Sequence, residues 1–329
     1  MHEHIKIYNG KVPGNTGESK FDILRPYGDN LGEAYETLFN PSMHRNDMLG
    51  INTVVRLQHI PMGHVSDKMD DEPYIVPFIA PDSRKCVLIC PGGAYCDVSM
   101  DNEGYPTAEF LMENGISSFV LKYRVWPYKY PTAFSDLKRA VCYIKHNADL
   151  FGIDGDKISL MGFSAGGNLI ASTVFLHDTL PVPEGYELDE IDNEKFSVAS
   201  IAPIYPEVCG DKALMSFQFG ERINEDEEFC REICEKMYIP QYVRSDSPPA
   251  FLCACRDDSV VDPVNIIKMA EAYYKARAPF EVHLFTEGGH GFGVTQHNVP
   301  PMYGHNGFDM SGTRDWIRLY ISWLNKTVK

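Results

Sequence analysis

Positive charge is scarce in this chain: 30 Lys and Arg stand against 46 Asp and Glu among 329 residues, a formal net charge of −16. A polyanionic partner, nucleic acid or an anionic membrane, would bind against that field, and no Lys/Arg run supplies a local exception. Long apolar runs are missing as well. No window approaches the roughly 18 apolar residues of a membrane-spanning helix, and the opening MHEHIKIYNGK has no apolar segment of the signal-peptide kind. Together these absences make a cytoplasmic protein the expectation. No repeat is visible and no Ser/Gly/Pro tract splits the chain. Residues 51–329 are therefore expected to form one domain, after a polar, glycine-rich N-terminal extension over 1–50.

A disulfide frame is also lacking. The nine cysteines are odd in number and scattered, and Cys86, Cys90, Cys253 and Cys255 sit in strand-like apolar runs. In CAC, residues 253–255, both thiols fall on one face of a strand, where a bridge between them is awkward. Reduced, buried thiols are expected, not a metal site. His2, His4, His44, His59 and His64 share no element with a ligand spacing, so neither a metal nor an organic cofactor is implied.

What is present is a core. Hydrophobic residues make up 44% of the chain and aromatics 12%, with 22 prolines, which fits a compact globular protein and argues against disorder. Strand-like runs KCVLIC (85–90), SSFVLKYRV (117–125), KISLMGF (157–163), SVASIAPIY (197–205), AFLCAC (250–255) and FEVHLF (280–285) alternate with helix-like runs at 103–114, 132–150, 165–177, 262–277 and 314–326. Near-continuous apolar strands separated by helices predict a mostly parallel sheet covered on both faces, with active residues at the carboxyl ends of the strands. Residues 206–247 interrupt the alternation and read as a helical, cap-like insertion. Within it INEDEEF (223–229) reads as a solvated helix face.

The residues after the strands carry the chemistry. PGGAY (91–95) has two glycines that free backbone N–H groups to point into a cleft; an ordinary tight turn is the alternative. Gly162-Phe163-Ser164-Ala165-Gly166 fits G-x-S-x-G between a strand and a helix, which raises the Ser164 hydroxyl on a sharp elbow and sets the Ala165 N–H at a helix N-terminus. RDDSVVD (256–262) offers Asp257 and Asp258, with Asp262 suited to capping the next helix. TEGGHGFG presents His290 between glycines. The chain order Ser164, Asp257 or Asp258, His290 is that of a Ser–acid–His triad on an α/β-hydrolase sheet.

With PGGAY, LKYRVWPYKYPTAFSDLKRAVCYI, GDKISLMGFSAGGNL, RDDSVVDPVN and EGGHGFG in place, residues 85–327 resemble the α/β-hydrolase superfamily. Within it the similarity is to the bacterial esterase/lipase branch with acetyl-esterase-like and acetylxylan-esterase-like enzymes. Pro91 and Ala94 stand where related enzymes often have His and a third Gly, and Asp262 where they usually have Pro. The resemblance selects Asp258 over Asp257 as the acid. It implies an oxyanion hole of the Gly93, Ala94 and Ala165 N–H groups, and a short acyl ester as substrate, particularly an acetylated sugar or oligosaccharide. Tyr95, Trp126 and Tyr128, near the expected rim, either stack on a sugar ring or pack, and residues 296–308 edge the pocket or form a surface loop. The same parts serve an amidase such as a formamidase or a serine peptidase. A binding protein on this fold would normally have lost one of Ser164, Asp258 and His290. Oligomeric state is not legible.

Overall fold

The structure is a computed structural model that describes residues 3–10, 12–15, 72–183, 185–294, 313 and 315–329. Eight strands form one sheet: β1 (Ile5–Lys6), β2 (Tyr74–Phe78), β3 (Cys86–Cys90), β4 (Ser117–Lys122), β5 (Ile158–Phe163), β6 (Ser200–Ile204), β7 (Ala250–Cys255) and β8 (Phe280–Phe285). Their order is β1-β2-β4-β3-β5-β6-β7-β8. From β4 to β8 every neighbouring pair is parallel, and only the β1–β2 and β2–β4 pairs are antiparallel. Every residue of β3, β4, β5, β6 and β7 is buried, which explains the unbroken apolar runs: a strand covered on both faces needs no polar alternation. β8, at the edge, alternates between half-buried and exposed residues.

The helices are α1 (Tyr105–Glu113), α2 (Thr132–His146), α3 (Ala148–Phe151), α4 (Ala165–Leu176), α5 (Lys212–Phe219), α6 (Arg222–Glu225), α7 (Glu227–Lys236), α8 (Val264–Ala276) and α9 (Trp316–Thr327). The run expected over 132–150 breaks at Asn147 into α2 and α3. That at 103–114 begins as a wide helical turn, Met100–Gly104, before α1. Two strands stop short of their apolar runs. β4 ends at Lys122 because Arg124 turns into a buried pair with Asp136 on α2, at 2.6 Å. β6 begins only at Ser200. Asp262 Oδ1 accepts the Val264 N–H at 2.8 Å, the expected support for the start of α8.

Residues 206–247 do form helices, α5, α6 and α7. INEDEEF is not one continuous face: it breaks at Asp226, whose carboxylate accepts the Phe229 N–H at 2.9 Å, while Ile223 is buried and Glu225, Glu227 and Glu228 face water. The insertion is fastened to the loop after β4. Tyr130 donates its N–H to Gln218 O at 2.7 Å and stacks on Phe219 at 4.9 Å between ring centroids. Of residues 1–50, the described part lies against the core, which weak periodicity did not reveal. β1 pairs with β2, Ile7 is fully buried, and the Arg139 and Arg124 side chains donate to Ile7 O and Pro13 O. His2, His44, His59, His64 and the 296–308 segment lie outside the described residues.

All nine cysteines are free thiols. Burial pushes the Cys234 thiol up to about 12, and the Cys230 sulfur, 4.0 Å away and one helical turn before it, pushes the same way. No helix among the described residues is long and apolar enough to cross a membrane.

Candidate active site

β5 lies in the middle of the sheet, and its end carries the elbow. Ser164 has φ 50° and ψ −117°, a strained conformation for a residue with a Cβ, held because its N–H donates to Ile204 O at 2.9 Å at the end of β6. The glycines on either side have a steric reason. A Cβ on Gly162 would stand 2.2 Å from Gly166 O, and one on Gly166 would stand 2.0 Å from Cys90 O. Only glycine lets α4 start this close to the ends of β5 and β3.

His290 arrives on the loop after β8, where Gly288, Gly289, Gly291 and Gly293 all have positive φ. Its Nε2 is 2.8 Å from Ser164 Oγ, and its Nδ1 is 2.8 Å from Asp258 Oδ2. As a carboxylate Asp258 only accepts, so Nδ1 carries the proton and the Nε2 lone pair faces the serine hydroxyl. The other Asp258 oxygen accepts the Val260 and Val261 N–H groups, both at 2.9 Å, and its side chain is fully buried. Asp257 points elsewhere: its oxygens accept the N–H groups of Gly289 at 2.9 Å and Gly288 at 3.3 Å. The two acids that the sequence left side by side thus have separate work, one on the imidazole and one on the loop that carries it.

The loop after β3 lies beside this elbow. A Cβ on Gly92 would be 3.0 Å from the Ser164 Cβ and 2.8 Å from Phe163 O. Gly93 has φ 132°, and Ala94 and Tyr95 have φ 53° and 60°, so the peptide planes turn over through three successive residues. Among the described residues the N–H groups of Gly93, Ala94 and Ala165 meet no protein acceptor, whereas the Gly92 N–H is taken by Glu103 Oε2. Unspent donors on the two loops that meet at the serine are what a developing oxyanion needs.

Tyr95 is corrected as a sugar-stacking residue. Its side chain is fully buried, packs edge-on against Tyr123, and donates its hydroxyl to Asn168 Oδ1 on α4 at 2.6 Å. Tyr128 is buried too, with the Arg124 guanidinium over its ring at 5.2 Å. Trp126 is half-buried, and its N–H donates to Tyr95 O at 2.8 Å.

A family model described as BD-FAE matches residues 76–273, which is more than half of the chain. The chain belongs to the BD-FAE family. Over 222 residues it is 30% identical to a protein named endo-1,4-beta-xylanase B from Butyrivibrio fibrisolvens, covering 64% of this chain and 33% of that one. Over 220 residues it is 24% identical to an acetylxylan esterase from Xylanibacter ruminicola, covering 64% and 42%. The chain thus spans between a third and about two fifths of the length of these relatives. In structure it is similar to an acetyl ester-xyloside bifunctional hydrolase from Caldicellulosiruptor lactoaceticus. The TM-score is 0.66 at 24% identity, covering 99% and 96% of the two chains, a likeness of α/β-hydrolase fold.

Two buried acids of this BD-FAE chain escaped the sequence reading. Glu103, in the turn before α1, bonds Gly92 and the Tyr205 hydroxyl. Glu207, after β6, accepts the Cys209 N–H at 2.7 Å; burial pushes its carboxyl up to about 7, against the pull of nearby N–H groups of Asp211, Cys209 and Gly210. Neither has a local motif. Their partners are backbone groups or residues distant in sequence, so only the fold reveals them. Among the described residues no group of three or more His, Cys, Asp or Glu is arranged to hold a metal ion.

Proposed function

We propose that the chain hydrolyses carboxylic esters by a serine mechanism, releasing acetyl or other short acyl groups from acetylated carbohydrates. Ser164 Oγ attacks the acyl carbonyl while His290 Nε2 takes its proton, and Asp258 holds the imidazole and balances its charge. The carbonyl oxygen becomes an oxyanion facing the N–H groups of Gly93, Ala94 and Ala165. Losing one such donor costs about 2.7–4 kcal/mol of barrier. His290 then protonates the departing alcohol oxygen, leaving an acyl-serine. A water molecule, deprotonated by the same nitrogen, attacks it, and the acid leaves as Ser164 regains its proton.

The observation that carries this reading is the unbroken relay of two 2.8 Å contacts from Ser164 through His290 to Asp258, next to three uncommitted N–H groups. The names endo-1,4-beta-xylanase B and acetylxylan esterase, carried by two relatives, support acetylated sugar as the alcohol half.

The test compares wild type with Ser164→Ala on 4-nitrophenyl acetate, butyrate and octanoate, with acetylated xylo- and manno-oligosaccharides in parallel. Rates that fall with acyl length, vanish in the variant, and come with acetate release from the sugars are the expected outcome. A wild type no faster than Ser164→Ala on every ester overturns the proposal.

A further inference from the structure

The mechanism above leaves one acid beside the reaction centre unused. Glu103 is only 2% exposed. Its Oε2 accepts the Gly92 N–H at 2.5 Å and its Oε1 the Tyr205 hydroxyl at 2.9 Å. Gly92 follows β3 and Tyr205 follows β6, the two strands that flank β5 on either side. One carboxylate therefore spans the nucleophile strand and ties together the loops on both sides of it.

Tyr205 extends the link. Its hydroxyl accepts the Gly293 N–H at 3.2 Å, three residues past His290, and its ring centroid lies 4.8 Å from that of His290. At the other end space is closed: a Cβ on Gly92 would stand 2.8 Å from Glu103 Oε2. The carboxylate, the loop after β3 and the elbow are thus in mutual contact.

We propose that Glu103 is a positioning residue for the reaction centre. By taking the Gly92 N–H it fixes the loop with the next two N–H groups, those of Gly93 and Ala94, turned to the oxyanion, and through Tyr205 it keeps the His290 loop in step with that hole. The proposal rests on the ester hydrolase reading above. A carboxylate suits the task because one rigid group offers two acceptors and makes the stronger, charge-assisted kind of hydrogen bond. The work matters because small misplacements of reacting groups cost rate out of proportion to their size.

The test uses Glu103→Gln, Glu103→Ala and Tyr205→Phe. Active sites are counted with diethyl 4-nitrophenyl phosphate, which labels an activated serine. For each variant, kcat/KM on 4-nitrophenyl acetate per labelled site is set beside the Ki of an alkyl trifluoromethyl ketone, whose serine adduct carries an oxyanion. The expected loss is roughly 10²-fold for Glu103→Ala and about tenfold for Glu103→Gln, which keeps an acceptor for Gly92. The ketone Ki should rise in proportion in each variant. A structural acid alone would lower the number of labelled sites and leave both per-site constants unchanged, and that result overturns the proposal; so does a loss of rate with an unchanged Ki. If Glu103→Ala does not fold, Glu103→Gln and Tyr205→Phe decide by the same criterion. A wild type that neither reacts with the phosphate at Ser164 nor hydrolyses the ester refutes the ester hydrolase reading first, and this proposal falls with it.

Discussion

Asp257 and Asp258 are adjacent, carry the same side chain and follow the same strand, yet the structure gives them different partners: the Gly288 and Gly289 N–H groups for one, the His290 imidazole for the other. Asp258→Asn should lower kcat/KM by roughly 10³–10⁴-fold, because an amide can donate to Nδ1 and hold the imidazole in the wrong tautomer. Asp257→Asn keeps an acceptor for the Gly288 and Gly289 N–H groups and should cost far less, about tenfold or under, since it touches no reacting atom. Steady-state rates on 4-nitrophenyl acetate separate the two; equal losses would mean the assignment is wrong. Spacing alone could not decide between them. What decides is which carboxylate the glycine-rich loop meets, a property of β7 and β8 side by side.

Glu207 gives a second prediction at this scale. Burial holds its pKa at about 7 in the folded chain, against an ordinary 4.5. The folded state therefore binds this proton more tightly than the unfolded state. Its contribution to stability is full below about pH 4.5, declines as pH rises towards 7, and then levels off. Glu207→Gln should remove that decline. Urea midpoints measured at about pH 5 and about pH 8 should differ less in the variant than in the wild type, after allowance for other titrating groups. An undiminished difference would show that the carboxyl ionises freely in place.

Among the elements, those buried on both faces were the most legible. KCVLIC, KISLMGF and AFLCAC match β3, β5 and β7 nearly residue for residue, because continuous burial leaves a continuous apolar signature. The strand ends were less legible. Tyr123 and Val125 are as apolar as the strand before them, but they pack after the chain has turned, and composition does not record the turn. β1 was missed for the opposite reason: two residues are too few to show a period. The elbow was visible through its glycines, and they supply the prediction for this scale. Gly166→Ala would put a methyl 2.0 Å from Cys90 O and 2.5 Å from Pro91 O, backbone atoms that cannot move aside. The cost should reach or exceed the ~1–3 kcal/mol typical of overpacking. A lowered thermal midpoint by circular dichroism, together with loss of esterase rate, is expected. A variant as stable and active as wild type would show that α4 can draw back from β3.

For the whole molecule the dominant quantity is charge. With a net charge of −16, the chain repels anionic substrates at long range. An acetylated oligosaccharide bearing a uronic acid should show a KM that falls as NaCl rises from about 10 to about 200 mM, the range over which screening shortens from tens of ångströms to under ten. Its neutral counterpart should show no such trend. Parallel salt dependences would place the repulsion too far from the site to matter.

The strand order has a consequence for a chain cut in two. Residues 244–246 are exposed, and they lie between the last helical turn of the insertion and β7. In the proposed mechanism the nucleophile Ser164 and the N–H groups of Gly93, Ala94 and Ala165 lie before that point, while Asp258 and His290 lie after it. Two fragments made there would each lack half of the proton relay, and hydrolysis would return only when they reassociate through the β6–β7 seam. Restored colour from 4-nitrophenyl acetate would then report sheet reassembly, a split reporter already drawn by the order in which the chain lays down its strands.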